Sequence, residues 1–337
     1  MTARGAAAGL LGAALLLVAC GDPAPLVLEG RPGGPYRITL ELEPAPLVAG
    51  TPTRFTERLR HTRDGSAVQD LQVVHERAVH NFIVSRDFSS FAHVHHEDER
   101  ALTAADLEAA TFSFDYTFPR PGHYRVVSEF THRDRGWTKH FDLVVGDPGP
   151  PPEVVVDLAR AKQVGPYSAQ LGVSPTQPVA GFETELVLEL ARDGAPVTDL
   201  QLLLGSEVHV ALWRADGEHF GHAHSYTPHM AAMFADMHDR TLDAATRAER
   251  MAAMMVAMID MPAELVFPGP RIPVRLVFPE PGVYAVFMQC APGGVPAVFM
   301  FMVEVAPYVA GMDTRIESMV ESPTEHDAHS HDRPVRP

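Results

Sequence analysis

The sequence carries an internal duplication that constrains its whole organisation. Residues 64–95 align on residues 193–224 without a gap, at an offset of 129 positions, and 12 of the aligned residues are identical. The copies then diverge and rejoin at FPRPGHYRV (118–126) and FPEPGVYAV (278–286), where the offset has grown to 160. The second copy therefore contains an insertion of 31 residues. A repeat of this length predicts two copies of one structural unit.

Each copy has the pattern of a small β domain. Apolar and polar residues alternate in YRVVSEF (124–130), as in a half-buried strand, and Pro-x-Pro-Gly-x-Tyr marks a turn that runs into a late strand. The predicted fold is all-β, with two tandem immunoglobulin-like β-sandwiches and a methionine-rich helical insertion in the second. In the first copy, strands are predicted near residues 36–42, 53–59, 71–74, 78–85, 112–118, 122–131 and 137–145.

The N-terminal segment predicts export and a lipid anchor. One early positive charge, Arg4, precedes an apolar run, and Leu17-Val18-Ala19-Cys20 resembles a bacterial lipobox, in which the cysteine is lipidated. We expect Cys20 to hold the protein on the cell envelope, with the periplasmic side favoured. An ordinary cleaved signal is the alternative. The predicted segments are a signal peptide (1–19), a tether (20–34), the first sandwich (35–146), a proline-rich linker (147–153), the second sandwich (154–307) with its insertion at 226–262, and a disordered histidine-containing tail (308–337).

Charge and cysteine content narrow the possible partners. A net charge of −16 argues against nucleic-acid binding and against electrostatic docking on anionic lipid. Cys290 is the second of two cysteines, so lipidation of Cys20 leaves no intramolecular disulfide. The predicted partners are the membrane, through Cys20, and a metal-handling or envelope protein.

A set of three histidines recurs in both copies. His93 and His95 form a His-x-His pair whose side chains share one face of an extended segment. His80 reaches this pair if residues 87–90 turn the preceding strand back on itself. Three imidazoles suit zinc or copper. Alternatively, the histidine of the preceding strand is a core residue and His-x-His a polar strand edge. The equivalent histidines of the second copy are His209, His222 and His224.

The succession of motifs resembles a known group of domains. Gly-x-x-Val-x-Asp-Leu, a histidine, Asp-x-x-x-Phe-x-His-x-His and Pro-x-Pro-Gly-x-Tyr follow one another in both copies. This arrangement is similar to the YtkA-like and related heavy-metal-associated domains of exported bacterial proteins, over residues 64–130 and 193–290. Those domains usually have proline after His-x-His, where this chain has His96 and Ser225. The resemblance implies an immunoglobulin-like fold and an association with metal ions.

Soft ligands are concentrated in the second copy. Eight of the 14 methionines lie within residues 229–261 at helical spacing, which predicts a helical hairpin. These methionines either capture Cu(I), with help from His229 and His238, or fill an apolar face that covers the sandwich. The same two alternatives, ligand or core, apply to side chains on the late strands. These are Met288, Cys290, Met300 and Met302.

The sequence has no motif of a known enzyme class. HERAVH (75–80) has one residue too many for His-Glu-x-x-His, and the Gly-x-Ser-x-Gly, Walker and dinucleotide motifs do not occur. We therefore predict a non-enzymatic, lipid-anchored transition-metal-binding protein, with copper favoured over zinc and one three-histidine site per domain. Metal buffering or trafficking is the expected role. A structural or partner-binding envelope module is the alternative, and a zinc-dependent hydrolase is the third hypothesis.

Overall fold

The chain folds into strands throughout the part that the structure describes. A computed structural model describes residues 24–225 and 266–320, with residues 243 and 246 between them. Within these residues the strands form four antiparallel sheets, and each sheet is built from one half of the chain. The all-β fold with repeated domains is therefore as predicted.

The first domain is a sandwich of two sheets. Its strands are β1 (Leu26–Glu29), β2 (Tyr36–Glu43), β3 (Pro52–His61), β4 (Leu71–Gln72), β5 (Val79–Ser85), β6 (Phe91–Val94), β7 (Thr111–Thr117), β8 (Gly122–His132) and β9 (Arg135–Val145). One sheet has the order β1-β2-β3-β7, and in the other β6, β5, β8 and β9 lie side by side, with β4 beside β8. A 3-10 helix (His96–Asp98) and helix α1 (Ala104–Ala109) connect β6 to β7.

The second domain repeats this arrangement. Its strands are β10 (Ala161–Val164), β11 (Tyr167–Ser174), β12 (Glu183–Arg192), β13 (Ala195–Pro196), β14 (Leu200–Gln201), β15 (Val208–Arg214), β16 (Phe220–His224), β17 (Arg271–Val277), β18 (Gly282–Pro292) and β19 (Ala297–Val305). In one sheet β12 pairs with β11, β13 and β17. In the other, β16, β15, β18 and β19 lie side by side. In both domains the His-x-His hairpin shares a sheet with the last two strands, which is the division of strands in an immunoglobulin-like sandwich.

Each sandwich has its own apolar core. In the first, Phe55 stacks on Phe114 with ring centroids 4.8 Å apart, and both rings are buried between the sheets. In the second, Leu188 and Ile272 of one sheet pack with Phe299 of the other. The alternation of buried and exposed side chains along β2 and β3 follows from this packing, since one face of that sheet is solvated.

Several boundaries differ from the sequence-based prediction. All seven predicted strands of the first domain are present, but β1 lies inside the predicted tether. Leu26 and Leu28 pack against the core, and β1 pairs with β2, which explains why this segment is a strand. Residues 147–153 contain no strand or helix. The predicted disordered tail begins bound to the second domain, because the Met319 amide donates to Glu185 at 2.8 Å.

Other predicted segments lie outside the part of the chain that the structure describes. The signal peptide with Cys20, the insertion apart from Asp243 and Thr246, and the tail histidines lie outside the described residues. Within the described residues, no helix is long and apolar enough to cross a bilayer.

The two domains pack face to face through the sheets that carry the histidines. A buried apolar cluster joins them, in which Phe91 stacks on Phe287 at 4.5 Å and Phe82 lies 5.0 Å from Phe220. Trp213 is fully buried in this cluster. Strand β5 is consequently buried along its whole length, because one face packs in its own sandwich and the other on the second domain.

One glycine permits a close contact at this interface. Gly217 has φ +73°, and a Cβ atom there would lie 0.7 Å from a guanidinium nitrogen of Arg125 in the first domain. Arg125 lies 3.8 Å from Glu218, which also pairs with Arg31 at 3.1 Å. The turn at Gly217 is therefore fitted to the surface of the first domain.

Candidate metal centre

The histidines of each domain are brought together by a hairpin. Strands β5 and β6 pair with Phe82 opposite His93, which places His80 beside His95. In the second domain, β15 and β16 pair with His209 directly opposite His224. The turn predicted at residues 87–90 is present, and both His-x-His pairs point to the same face as the histidine of the neighbouring strand.

The three first-domain histidines converge on one point. The Nδ1 atom of His80 lies 3.2 Å from Nε2 of His93 and 3.2 Å from Nε2 of His95, and the two Nε2 atoms are 2.9 Å apart. Three nitrogens at bonds of about 2.0 Å to a tetrahedral ion are about 3.3 Å apart. The observed spacing is thus close to that of a ligand set.

The outer ring nitrogens of these histidines have their own partners. His80 Nε2 donates to the carbonyl of Val74 at 3.1 Å, and His95 Nδ1 donates to the carboxylate of Asp98 at 3.0 Å. A neutral imidazole carries one proton, so these bonds leave lone pairs on the two inner nitrogens, which face each other. Two lone pairs at 3.2 Å repel unless a proton or a cation lies between them.

The third histidine of the first domain is oriented from the second domain. His93 Nδ1 lies 3.2 Å from the side-chain amide nitrogen of Gln289. The nitrogen and oxygen of an amide exchange places on a 180° turn, so the same contact also allows His93 Nδ1–H to donate to the Gln289 carbonyl oxygen. In that arrangement Nε2 of His93 carries the third converging lone pair.

The second-domain histidines form a similar but looser group. His209 Nε2 donates to the carbonyl of Leu203 at 2.7 Å, and His222 Nδ1 donates to the Glu129 carboxylate at 2.6 Å. The inner nitrogens of His209 and His222 are 3.5 Å apart, and one nitrogen of His224 lies within 4.8 Å of both. Among the described residues, Nε2 of His224 is buried without a hydrogen-bond partner.

The two triads adjoin across the domain interface. The His80 ring lies 5.4 Å from that of His222, and the His93 ring lies 5.7 Å from those of His209 and His222. The pairs His80–His222 and His93–His209 are equivalent in the two copies, so the domains meet with an approximate two-fold relation. The sequence patterns predict one separate site in each domain and do not indicate this juxtaposition.

Burial keeps these histidines uncharged. Desolvation, followed by repulsion from neighbouring histidines, lowers the pKa of His80, His93, His209 and His224 well below its usual range. Neutral imidazoles are the form that binds metal ions. At these four positions a metal therefore does not have to displace protons.

Four polar residues around the triads were not predicted from the sequence. Asp98, Glu129 and Gln289 orient histidines, and the ring of His75 lies 4.0 Å from that of His224. Glu129 and Gln289 are 160 positions apart, which is the offset of the second aligned segment of the repeat. The alignment therefore placed them at equivalent positions in the two copies. His75 has no counterpart histidine, because Leu204 occupies the equivalent position.

The strand methionines and Cys290 are not part of this centre. Met288 and Cys290 point into the core of the second sandwich, and burial raises the pKa of the Cys290 thiol to about 12. Met302 and Met300 belong to the apolar cluster between the domains. Among the described residues, the candidate centre consists of histidines and their oxygen or amide partners.

A cavity opens on one side of the centre. It has a volume of about 700 Å³ and is lined by His75, His80, His222 and His224, with Glu129 and Arg275 at its wall. The first-domain pair His93 and His95 does not line it. The second-domain triad is therefore the more accessible of the two from this side.

Comparisons with known proteins identify a family. A domain of unknown function, DUF8832, matches residues 32–147 and 162–307, which correspond to the two sandwiches. No curated protein sequence matches the chain. The resemblance to YtkA-like domains stays a prediction, since this family match does not test it.

Similar solved structures include the Escherichia coli adhesin FdeC, at 12% identity and a TM-score of 0.23, with 82% of this chain and 74% of that chain covered. A putative membrane anchored protein from Corynebacterium diphtheriae is 10% identical, with a TM-score of 0.20 and coverage of 85% and 62%. The D0–D1 domain of intimin is 11% identical, with a TM-score of 0.19 and coverage of 78% and 96%. Scores this low support no functional conclusion. The family match covers more than half of the chain, and the chain therefore belongs to the DUF8832 family.

Proposed function

We propose that this protein is an exported, lipid-anchored transition-metal-binding protein that buffers or traffics metal in the bacterial envelope. Each domain supplies one three-histidine site: His80, His93 and His95 in the first, and His209, His222 and His224 in the second. Cys20 carries the lipid, and a metal-handling or envelope protein is the expected partner.

One observation carries the metal assignment. The inner nitrogens of His80 and His95 are 3.2 Å apart, although both outer nitrogens already donate to fixed acceptors. A cation between the inner nitrogens turns this repulsion into coordination. The outer contacts to Val74 and Asp98 are the second set of partners that histidine ligands of metal sites usually have.

Copper is favoured over zinc for this role because Cu(I) also accepts soft thioether ligands. Neutral imidazoles accept either metal. The preference for copper depends on the methionines of residues 229–261, which are soft ligands beyond the described residues. A direct comparison of Cu(I) and Zn²⁺ affinity for the protein with and without this segment would decide between them.

A structural envelope module is the second candidate. The apolar cluster around Trp213 favours it, because this cluster joins the domains without any contribution from a metal ion. In that case the histidines fill the polar end of the interface, and protons satisfy their converging nitrogens. Both candidate functions fit the same fold. They differ in whether the protein binds a metal ion.

Metal analysis of the protein tests the proposal. The chain is purified without a histidine tag, loaded with Zn²⁺ or Cu(I), dialysed and analysed by mass spectrometry with inductively coupled plasma. Two tightly bound equivalents are expected. Replacement of all six triad histidines by alanine should abolish them.

The matched control is His123→Ala, because His123 lies on β8 outside the triads and bonds to the carbonyl of Gly149. This variant should keep both equivalents. Metal content that is unchanged in the six-histidine variant would exclude the triads as the binding sites. Absence of tightly bound metal in the parent protein would favour the structural module.

A further inference from the structure

We propose that the two triads form one paired centre between the domains, in which the first domain completes the second-domain site and makes it the tighter of the two. This inference rests on the proposed function. The groups that complete the second-domain site are the carboxylate of Glu129 and the imidazole of His75.

The cross-domain contacts of the two triads are equivalent in position but not in charge. Glu129 of β8 accepts from His222, and Gln289 of β18 contacts His93. Both residues lie next to the first histidine of their own domain, since Glu129 pairs with His80 and Gln289 pairs with His209 in the sheets. Each domain thus orients the central histidine of the other domain's triad.

The difference between Glu129 and Gln289 affects ligand strength. A carboxylate that accepts the Nδ1 proton of a ligating histidine fixes the ring and raises the basicity of Nε2. Gln289 is neutral and either donates to or accepts from His93, so it favours the ligand tautomer less. In the first domain Asp98 supplies a carboxylate to His95, so the triads differ in the partner of the central histidine and not in the number of carboxylates. The carboxylate on the central histidine His222 strengthens the second-domain site.

His75 makes the second asymmetry. The turn that links Val74 and Arg77 supplies the carbonyl that orients His80, and the next residue in the turn, His75, projects to the second-domain triad. Its ring lies 4.0 Å from that of His224 and 5.8 Å from that of His209. Among the described residues, the Nε2 atoms of His75 and His224 are both buried without hydrogen-bond partners.

A shared ion would give these two nitrogens a partner. No nitrogen of His75 belongs to the group whose members lie within 4.8 Å of one another, so its ring would have to turn toward the ion to become a fourth ligand and close the site, as in structural zinc sites. The equivalent turn of the second domain, between Leu203 and Ser206, has Leu204 in place of His75. Leucine cannot ligate, so the first-domain site lacks the corresponding group.

The short distance between the two triads predicts the order in which metal ions bind. Rings of opposing triads are 5.4–5.7 Å apart, so two divalent cations in the centre repel each other across a partly desolvated gap. The first ion should enter the second-domain site, and the second ion should bind more weakly than it would to an isolated triad. Monovalent Cu(I) should show a smaller separation between the two affinities.

The test gives each domain the residue that the other domain has at the equivalent position, with the variants E129Q and Q289E. Each site is measured alone with Zn²⁺ against a competing chelator, in a protein whose other triad carries two alanine substitutions (H93A with H95A, or H222A with H224A). E129Q should weaken the second-domain site by about 10- to 100-fold and leave the first-domain site nearly unchanged. Q289E should strengthen the first-domain site by a similar factor.

His75→Leu, which copies Leu204, supplies a spectroscopic readout. Co²⁺ in the second-domain site should lose the intense visible bands of a four-coordinate tetrahedral ion in this variant, whereas Co²⁺ in the first-domain site should be unaffected. A structural role of His75 would not change the coordination spectrum selectively. Circular dichroism establishes that each variant is folded, and the gain expected for Q289E cannot arise from misfolding.

The possible results separate the two proposals. Zinc binding to neither isolated triad would overturn the proposed function. Binding to both triads with equal affinity, or with no response to E129Q, Q289E and His75→Leu, would leave the proposed function standing and overturn the paired, asymmetric centre.

Discussion

Acidification should destabilise the metal-free protein because its buried histidines have to stay neutral. Desolvation and neighbouring histidines lower the pKa of His80, His93, His209 and His224 in the native state. The unfolded chain, whose histidines titrate near pH 6.5, therefore binds more protons than the native state in mild acid. The stabilisation is present above the unfolded pKa and is lost as the pH falls below it.

The size of the effect follows from the number of groups. Burial also lowers the pKa of His75 and of His140 to about 4. Between pH 6.5 and 5.5, protonation in the unfolded state is worth about 1 kcal/mol for each histidine, or about 6 kcal/mol for these two and the four triad histidines. Glu57 acts in the opposite direction, because burial raises its pKa to about 7. Its protonation in the native state offsets about 1 kcal/mol over the same interval. The net loss should be about 5 kcal/mol.

Urea unfolding at the two pH values measures this loss. Tryptophan fluorescence and circular dichroism follow the transition in metal-free buffer. A double variant, His80→Asn with His209→Asn, should remove about a third of the histidine contribution, or about 2 kcal/mol. A free energy of unfolding that is constant or rises on acidification would refute the neutral, buried state of these histidines.

Three further predictions concern groups outside the triads. Glu57→Gln should remove a pH dependence in which the free energy of unfolding falls by about 3 kcal/mol as the pH rises from 4.5 through 7, measured by urea titration; a variant with the wild-type slope would contradict it. Trp213→Ala should lower the free energy of unfolding by about 3–5 kcal/mol because it empties the centre of the domain interface, whereas Trp213→Phe should cost less; equal costs would contradict a packed interface. Cys290 should resist alkylation by maleimide until the protein unfolds, because burial raises its thiol pKa to about 12, and rapid labelling of the native protein would be inconsistent with the core position.

The repeat and its strands could be predicted because local patterns specify them. Alternation along YRVVSEF, the proline and glycine turns and the gapless alignment all indicate the same sandwich. The convergence of His80 with His93 and His95 could also be predicted, since side-chain direction alternates along a strand and the turn fixes the pairing. The sites within each domain are consequences of local geometry.

The relation between the domains could not be predicted from these patterns. Strand β5 and strand β18 are buried along nearly their whole length, and the continuous apolar run of β18 was a sign of packing on two faces. That sign does not say which surface covers the second face. Glu129, Gln289 and His75 gain their roles from the opposing domain, so a reading of either copy alone could not assign them.

The segment Leu26–Glu29 was missed for a different reason. Its flanking prolines and glycines resemble a tether, and four residues are too few for a clear period. Pairing with β2 and packing of Leu26 and Leu28 on the core make it a strand. Tertiary contacts override local composition here.

The most direct measurement of the central claim is anomalous diffraction from crystals of the untagged protein loaded with Zn²⁺ or copper. Two anomalous peaks are expected at the domain interface, each about 2.0–2.1 Å from the inner ring nitrogens of three histidines: His80, His93 and His95 for one peak, and His209, His222 and His224 for the other. Well-ordered triads without a peak, or peaks confined to other parts of the chain, would contradict it.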